Sequence, residues 1–394
     1  MSAAAVSSAP RALKTLADRY DATVFEPHGG RARVRLELAE GPAWDAVIQS
    51  GAMRLEPVHG SAQAIVRADA KTWRHVAEDS RGAMAMYASG RLSVRRNLHL
   101  GVGVLAATSA EGGPGRLRFA TVKARGARVS LLEAGAGPPV IAIHGLGATK
   151  GSFLPTVLAL GSRFRVIAVD LPGFGDSDKP LAASYDARFF ARAIVEVLDT
   201  LELERAHLLG NSLGGRIALE VGMRNPSRVG RLALLCPSLA WRGDRPLVPL
   251  LRLTRPELGL VQLAPRSLVD AIVRRVIPSA DDGWTAAGID EFLRAYSTPA
   301  GRRAFYAAAR HIYLEEPHGP DGFWTRLRRL QPAALFVWGR RDRLVPLAFA
   351  RHVADALPQA RQLVLECGHV PQIESPAATH RAVGAFLAQA AGGV

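Results

Sequence analysis

The chain has 394 residues, 48% hydrophobic and 22% charged, an ordinary globular composition with length for one large domain and a small one. Its two cysteines, Cys236 and Cys367, cannot build a disulfide framework and are too few for a zinc site, which fits a reducing cytoplasm. The net charge of +15 is dispersed rather than gathered, with 16 Lys/Arg against 11 Asp/Glu in residues 1–118, so no nucleic-acid partner is expected. Arginine supplies nearly all of the positive charge, because lysine occurs only at 14, 71, 123, 150 and 179. Such a surface leaves peripheral contact with an anionic membrane as a partner expectation. No apolar run reaches the length of a membrane span. The opening "MSAAAVSSAP" lacks the basic start and apolar core of a signal peptide and reads as a loose tail.

In chain order, "RARVRLEL" (Arg31–Leu38) alternates polar and apolar residues, as a half-buried strand does. "AQAIVRAD" (Ala62–Asp69) alternates again. "ADAKTWRHVAED" follows as a helix, with Asp69 placed to cap its first amides. "GRLSVRRN" (Gly90–Asn97) puts Leu92 and Val94 on one face, and "LHLGVGVLAA" is an apolar segment of small residues. His59, His75 and His99 are scattered and form no ligand set. At these positions residues 10–108 resemble the sterol-carrier-protein-like lipid-binding fold: a strand, a helix around Trp73, a strand led by Gly90 with Asn97 after it, then the apolar segment. The resemblance implies a small α+β domain, residues 1–112, with a twisted sheet and helices enclosing an apolar tunnel for lipid.

"TSAEGGPGRLRF" (Thr108–Phe119) holds Gly112, Gly113, Pro114 and Gly115 and reads as a linker. Beyond it, over residues 116–394, the rhythm is strand, loop, helix. Near-continuous apolar runs such as "PVIAIHG", "FRVIAVDLPG", "AHLLGNS", "RLALLCP" and "AALFVWG" suit strands covered on both faces. Helical stretches fall between them, as at Ala187–Leu201 and Gly214–Arg224. The fold class is therefore α/β, a mostly parallel doubly wound sheet, in which ligands gather beyond the carboxyl ends of the strands.

Four strand ends carry the chemistry. Gly210-Asn211-Ser212-Leu213-Gly214 fits a nucleophile elbow, a tight strand-to-helix turn in which only glycine avoids collision two residues either side of the serine. A serine hydroxyl needs a base. "ECGHVPQIESP" places His369 just past the last strand, and "WGRRDRLVP" places Asp342 just past the strand before it. Asp342 would orient His369, and His369 would take the Ser212 proton. "HGLGATKGSF", from His144, follows another strand. Its backbone, with that of the elbow, supplies two N–H donors for an oxyanion, read as those of Leu213 and Leu146. "DLPGFGDSDKP" (Asp170–Pro180) is a nearby loop whose Asp170 and Asp176 read as structural.

These motifs, in this order over residues 119–394, resemble the α/β-hydrolase superfamily. The resemblance implies a Ser212–His369–Asp342 triad, no cofactor or metal, and a helical cap inserted after the sixth strand, here Trp241–Trp324. Under an apolar cap the expected reaction is hydrolysis of carboxylic esters of hydrophobic acyl groups, with a small hydrophobic ester or lipid as substrate. Asn211 departs from the histidine that many lipases and esterases of that family carry. "GNS" there is frequent in the branch that hydrolyses carbon–carbon bonds of ring-cleavage diketones, which is the alternative reaction. A second alternative is a non-catalytic lipid carrier, against which the complete triad argues. Oligomeric state is left open.

Overall fold

The computed structural model describes residues 9–78, 89–109, 116–243 and 283–389, with single positions between them (83, 86, 87, 265, 267 and 271). The Gly112–Gly115 linker, "PLVPLLRL" and nearly all of "SLVDAIVRRVIP" lie outside the described residues. The chain divides into two compact units. One is Met1–Phe119 with Asp281–Glu291; the other is Ala120–Ala280 with Phe292–Val394.

The first unit holds a five-stranded sheet. Its strands are β1 (Arg31–Leu38), β2 (Ala43–Gln49), β3 (Ala52–Pro57), β4 (Ala64–Ala68) and β5 (Leu92–Arg95), in the order β3-β2-β1-β4-β5. β1 runs parallel to β4, and the other pairs are antiparallel. Helix α1 (Arg11–Asp18) starts directly after Pro10 and buries Leu13 and Leu16. Asp69 does cap helix α2 (Ala70–Glu78), accepting the Thr72 N–H at 2.6 Å. β2 has no polar alternation to betray it, because Trp44 to Ile48 are all buried. Its Asp45 is tolerated inside by Arg33 at 3.0 Å and Arg35 at 2.9 Å on β1. "LHLGVGVLAA" is a helix, α3 (Leu98–Ala107), capped by Asn97. Its glycines serve close packing: a Cβ on Gly101 would lie 2.4 Å from Val94, and one on Gly103 2.5 Å from the Phe25 ring.

The second unit is built on eight strands: β6 (Arg118–Ala124), β7 (Ala127–Ala134), β8 (Pro139–Ile143), β9 (Arg165–Val169), β10 (Ala206–Asn211), β11 (Val229–Leu235), β12 (Ala334–Gly339) and β13 (Arg361–Leu365). They lie in the order β13-β12-β11-β10-β8-β9-β7-β6. β9, β8, β10, β11, β12 and β13 are parallel, and β7 is antiparallel to β9. The central strands are buried over most of their length, which is why they read as apolar runs.

Helices α4 (Leu154–Leu160), α5 (Ala187–Thr200) and α6 (Leu213–Arg224) follow β8, β9 and β10. Next come α7 (Gly283–Tyr296), α8 (Pro299–Leu314) and α9 (Phe323–Leu327), in the stretch read as a cap. The chain ends with α10 (Phe349–Ala356), α11 (Pro371–Glu374) and α12 (Pro376–Leu387). Within α7, residues to Glu291 group with the first unit and those from Phe292 with the second. Among the described residues, no helix is long and apolar enough to cross a membrane.

Candidate active site

Ser212 stands between β10 and α6 with φ 55° and ψ −116°. An L-residue adopts that conformation at a cost of about 1–3 kcal/mol. Three main-chain bonds hold it there. Ser212 N donates to Leu235 O (3.0 Å), and its carbonyl accepts from Ser238 N (2.9 Å) and Arg216 N (3.1 Å). The glycines make the turn sterically feasible. A Cβ on Gly210 would meet Gly214 carbonyl atoms at 2.3 Å, and one on Gly214 would meet Ile143 O at 1.9 Å. A serine in this position commonly caps the helix that follows, yet Ser212 makes no side-chain cap bond, so its hydroxyl is left to other partners. Leu213 opens α6, and its N–H therefore has no acceptor within the helix.

The acid and the histidine meet at two neighbouring strand ends. His369 Nδ1 lies 2.8 Å from Asp342 Oδ2. The other Asp342 oxygen accepts the N–H groups of Leu344 (2.8 Å) and Val345 (3.0 Å). Burial pushes the Asp342 carboxyl up. The His369 bond and charge and the two amides outweigh that, and its pKa is held below the usual carboxylate value. The nearby Arg340 and Arg341 reach Glu366. The His369 loop is fixed at its peptide groups. Glu374 accepts the N–H on each side of His369, from Gly368 and Val370, both at 2.9 Å. Asn211 donates its amide hydrogens to the carbonyls of His369 and Leu235, both at 3.0 Å. That bond brings the histidine main chain against the residue preceding Ser212.

The third loop runs from His144 to Lys150. His144 is fully buried, and burial holds its pKa down and the ring neutral. Its Nε2 accepts the Leu171 N–H (3.0 Å), which leaves the hydrogen on Nδ1 to donate to Gly145 O (2.8 Å). Gly145 O also accepts from Ala148 N (3.2 Å). In a trans peptide, carbonyl and N–H point to opposite sides, so fixing Gly145 O fixes the direction of the Leu146 N–H. The loop passes close to the elbow: a Cβ on Gly145 would sit 3.2 Å from Ser212 Cβ.

The loop ends on a buried ion pair. Lys150 Nζ donates to Asp170 (2.6 Å) and Asp176 (3.1 Å), and the Lys150 N–H donates to the other Asp170 oxygen (2.7 Å). Asp170 and Asp176 thus bind this loop. Cys236 lies beside Asp342 and His369, their ligand atoms within 4.8 Å of one another. Burial and the Asp342 charge raise the Cys236 thiol well above its usual pKa, so it is a protonated neighbour.

The sequence reading missed Glu374, Lys150 and the structural use of Asn211. Lys150 is one of five lysines in an arginine-rich chain.

The family profile described as alpha/beta hydrolase fold matches residues 138–268. The chain is 31% identical over 282 residues to the 2-hydroxymuconate semialdehyde hydrolase of Pseudomonas sp. (strain CF600), across 68% of this chain and 93% of that one. The chain belongs to the α/β-hydrolase family. Among solved structures, this α/β-hydrolase is similar to a meta-cleavage product hydrolase from Pseudomonas fluorescens IP01, with a TM-score of 0.56 and 25% identity, over 68% of this chain and 96% of that one. It is also similar to a bacterial membrane phospholipase A, with a TM-score of 0.60 and 26% identity, over 78% of this chain and 94% of that one.

Proposed function

We propose that this α/β-hydrolase cleaves a carbon–carbon bond in a ring-cleavage dienoate, with Ser212 as nucleophile, His369 as base and Asp342 as its orienting acid. The observation that carries the reading is the 31% identity to a 2-hydroxymuconate semialdehyde hydrolase across 93% of that protein's length. Ester hydrolysis, the first expectation from the sequence, thereby becomes the second reading. The likeness to a phospholipase A keeps it in view.

Both reactions use the same first step. His369 Nε2 takes the Ser212 proton as Oγ attacks a carbonyl carbon, and Asp342 holds the hydrogen on Nδ1 and stabilises the imidazolium. The N–H groups of Leu213 and Leu146 receive the oxyanion, each worth about 3 kcal/mol in the transition state. The reactions differ in the bond that breaks. An ester expels an alkoxide. A 2-hydroxy-6-oxo-dienoate in its keto form expels a carbon whose electron pair is delocalised as an enolate. His369 returns its proton to the leaving group. Water then releases the acyl group from Ser212 as a carboxylic acid.

Turnover of 2-hydroxymuconate semialdehyde, followed by loss of its absorbance, is to be compared with p-nitrophenyl esters of graded chain length. The expected result is a higher kcat/KM for the dienoate than for any ester, with both abolished in Ser212→Ala. The reverse order would transfer the protein to the esterases.

A further inference from the structure

We propose that Arg294 and Asp176 form a latch that couples the cap helix α7 to the oxyanion loop, with Lys150 as the positioning residue through which the latch acts. The inference rests on the reading of Ser212 as nucleophile and of the His144–Lys150 loop as oxyanion donor, and extends it to the control of that loop.

Four charges stand in a row. Asp170 is held by Lys150, Lys150 also holds Asp176, and Asp176 Oδ1 accepts from Arg294 Nη1 at 2.8 Å. The row has an inside and an outside. The side chains of Lys150 and Asp170 are 3% and 0% exposed, whereas those of Arg294 and Asp176 are 26% and 22% exposed. Breaking the inner pair would strand a buried charge, so it stays closed while the protein is folded. The outer pair sits where water can replace either partner, so its net contribution is small and it can open. Asp176 ties the outer pair to the inner one: it accepts from Lys150 Nζ at 3.1 Å, and its N–H donates to Asp170 Oδ2 at 2.9 Å. A shift of Arg294 is therefore felt at the ammonium of Lys150.

A second contact reaches the oxyanion loop directly, two residues before Arg294 on α7 and three before Lys150 on the loop. Gly147, at φ 74°, lies beneath the cap aromatics: a Cβ there would meet the Phe292 ring at 2.7 Å and the Phe305 ring at 3.2 Å. Phe292 and Phe305 are themselves in edge contact, their ring centroids 5.5 Å apart. The loop from Leu146 to Lys150 is thus met by α7 twice, directly by the Phe292 ring at Gly147 and, through Asp176, by charge at Lys150. Seating of α7 brings both contacts together, which steadies the loop whose Leu146 N–H is aimed by the bonds to Gly145 O. Lifting it releases both. The cap in this scheme does more than shape the pocket; its closure completes the hole.

The test uses the full chain and three variants, Arg294→Gln, Asp176→Asn and the double variant. Two readouts are taken: hydrogen exchange of the amides of residues 145–151, and the rate at which a fluorophosphonate labels Ser212. Exchange does not depend on the reaction, so it judges the latch even where the probe fails to label the wild type, a result that would instead sink the nucleophile reading. The expected outcome for Arg294→Gln is faster exchange in 145–151 and labelling slowed about tenfold. The double variant should lose less than the product of the two single losses, because the two residues share a contact. Wild-type exchange in 145–151 of Arg294→Gln, with or without a lower melting temperature, would overturn the latch. So would a double-variant loss equal to the product of the two single losses.

Discussion

The two loops that flank Ser212 are held by different forces. The His369 loop is fixed at its peptide groups, by Glu374 on both flanking N–H groups and by Asn211 on the carbonyl between them. The oxyanion loop is fixed at one end by the His144 ring and at the other by charges on long side chains, Lys150, Asp170 and Asp176. Short directional bonds to a peptide leave one position. Ion pairs are less directional and tolerate displacement while still attracting. His369 is thus set at a single place, and the His144–Lys150 loop is the more adjustable of the two. In the proposed mechanism the first serves proton transfer, where tenths of an ångström decide, and the second meets a charge that exists only briefly and can be assembled when substrate is enclosed.

This contrast can be broken by substitution, beginning where the effect is largest. Asp342→Asn keeps the shape of the set loop but favours the wrong imidazole tautomer, so kcat should fall about 10⁴-fold with the melting temperature nearly unchanged. Steady-state kinetics beside thermal unfolding check this, and near-wild-type turnover would move the acid elsewhere.

Lys150→Met addresses the adjustable loop. It strands the Asp170 carboxylate in the interior, for a loss of about 3–5 kcal/mol in urea unfolding. Burial raises the Asp170 pKa, and the charge of Lys150 overrides it and holds the pKa low. Without Lys150 the folded-state value should rise above the unfolded one. The unfolded state then binds fewer protons than the folded one, so stability falls as pH rises. The damage should be greater at about pH 8 than at about pH 4, and a pH-independent loss would mean that Asp170 is stabilised by something else.

The smallest effect is expected for Asn211→Leu, which removes both donors from the carbonyls of His369 and Leu235. The expected loss is about 1–3 kcal/mol of stability and a lower kcat at unchanged KM, read from unfolding and kinetics together. Unchanged kcat would show that Glu374 alone suffices to place the histidine.

The sequence made the central strands of the second unit legible because they are covered on both faces and read as apolar runs. The elbow was legible because Gly210 and Gly214 are sterically required, and the collisions at those positions are the ones the motif implies. Asp342 and His369 were legible by their place after β12 and β13. What stayed hidden depends on long-range partners. β2 looked like nothing in particular because Asp45 interrupts its apolar run, and the arginines that neutralise it are on another strand. α3 looked like a bare apolar segment because a helix buried on nearly all sides has no amphipathic period. Lys150 and Glu374 carry no local signal of their roles, since each acts on groups brought to it by folding. Asn211 shows the opposite trap. As a letter it hinted at a class of bond to be cleaved, and in the structure its amide holds the neighbouring loop in place.

The division of α7 between the two units has a bearing on the order in which the protein can be made. Arg95 on β5 pairs with Asp290 at 2.7 Å, and Glu291 accepts the Leu98 N–H that opens α3, across 195 and 193 residues of sequence. A ribosome completes β1 to β5 early, yet the acidic pair that closes this unit emerges only after most of the large sheet has been synthesised. The unit that comes first in the chain is therefore finished late, and its closing step carries the loop-closure entropy of nearly half the polypeptide. An amino-terminal fragment cut at the linker would lack Asp290 and Glu291, leaving Arg95 and the start of α3 without them. A lipid-binding test of this unit calls for the intact chain, with Asp290 and Glu291 in place.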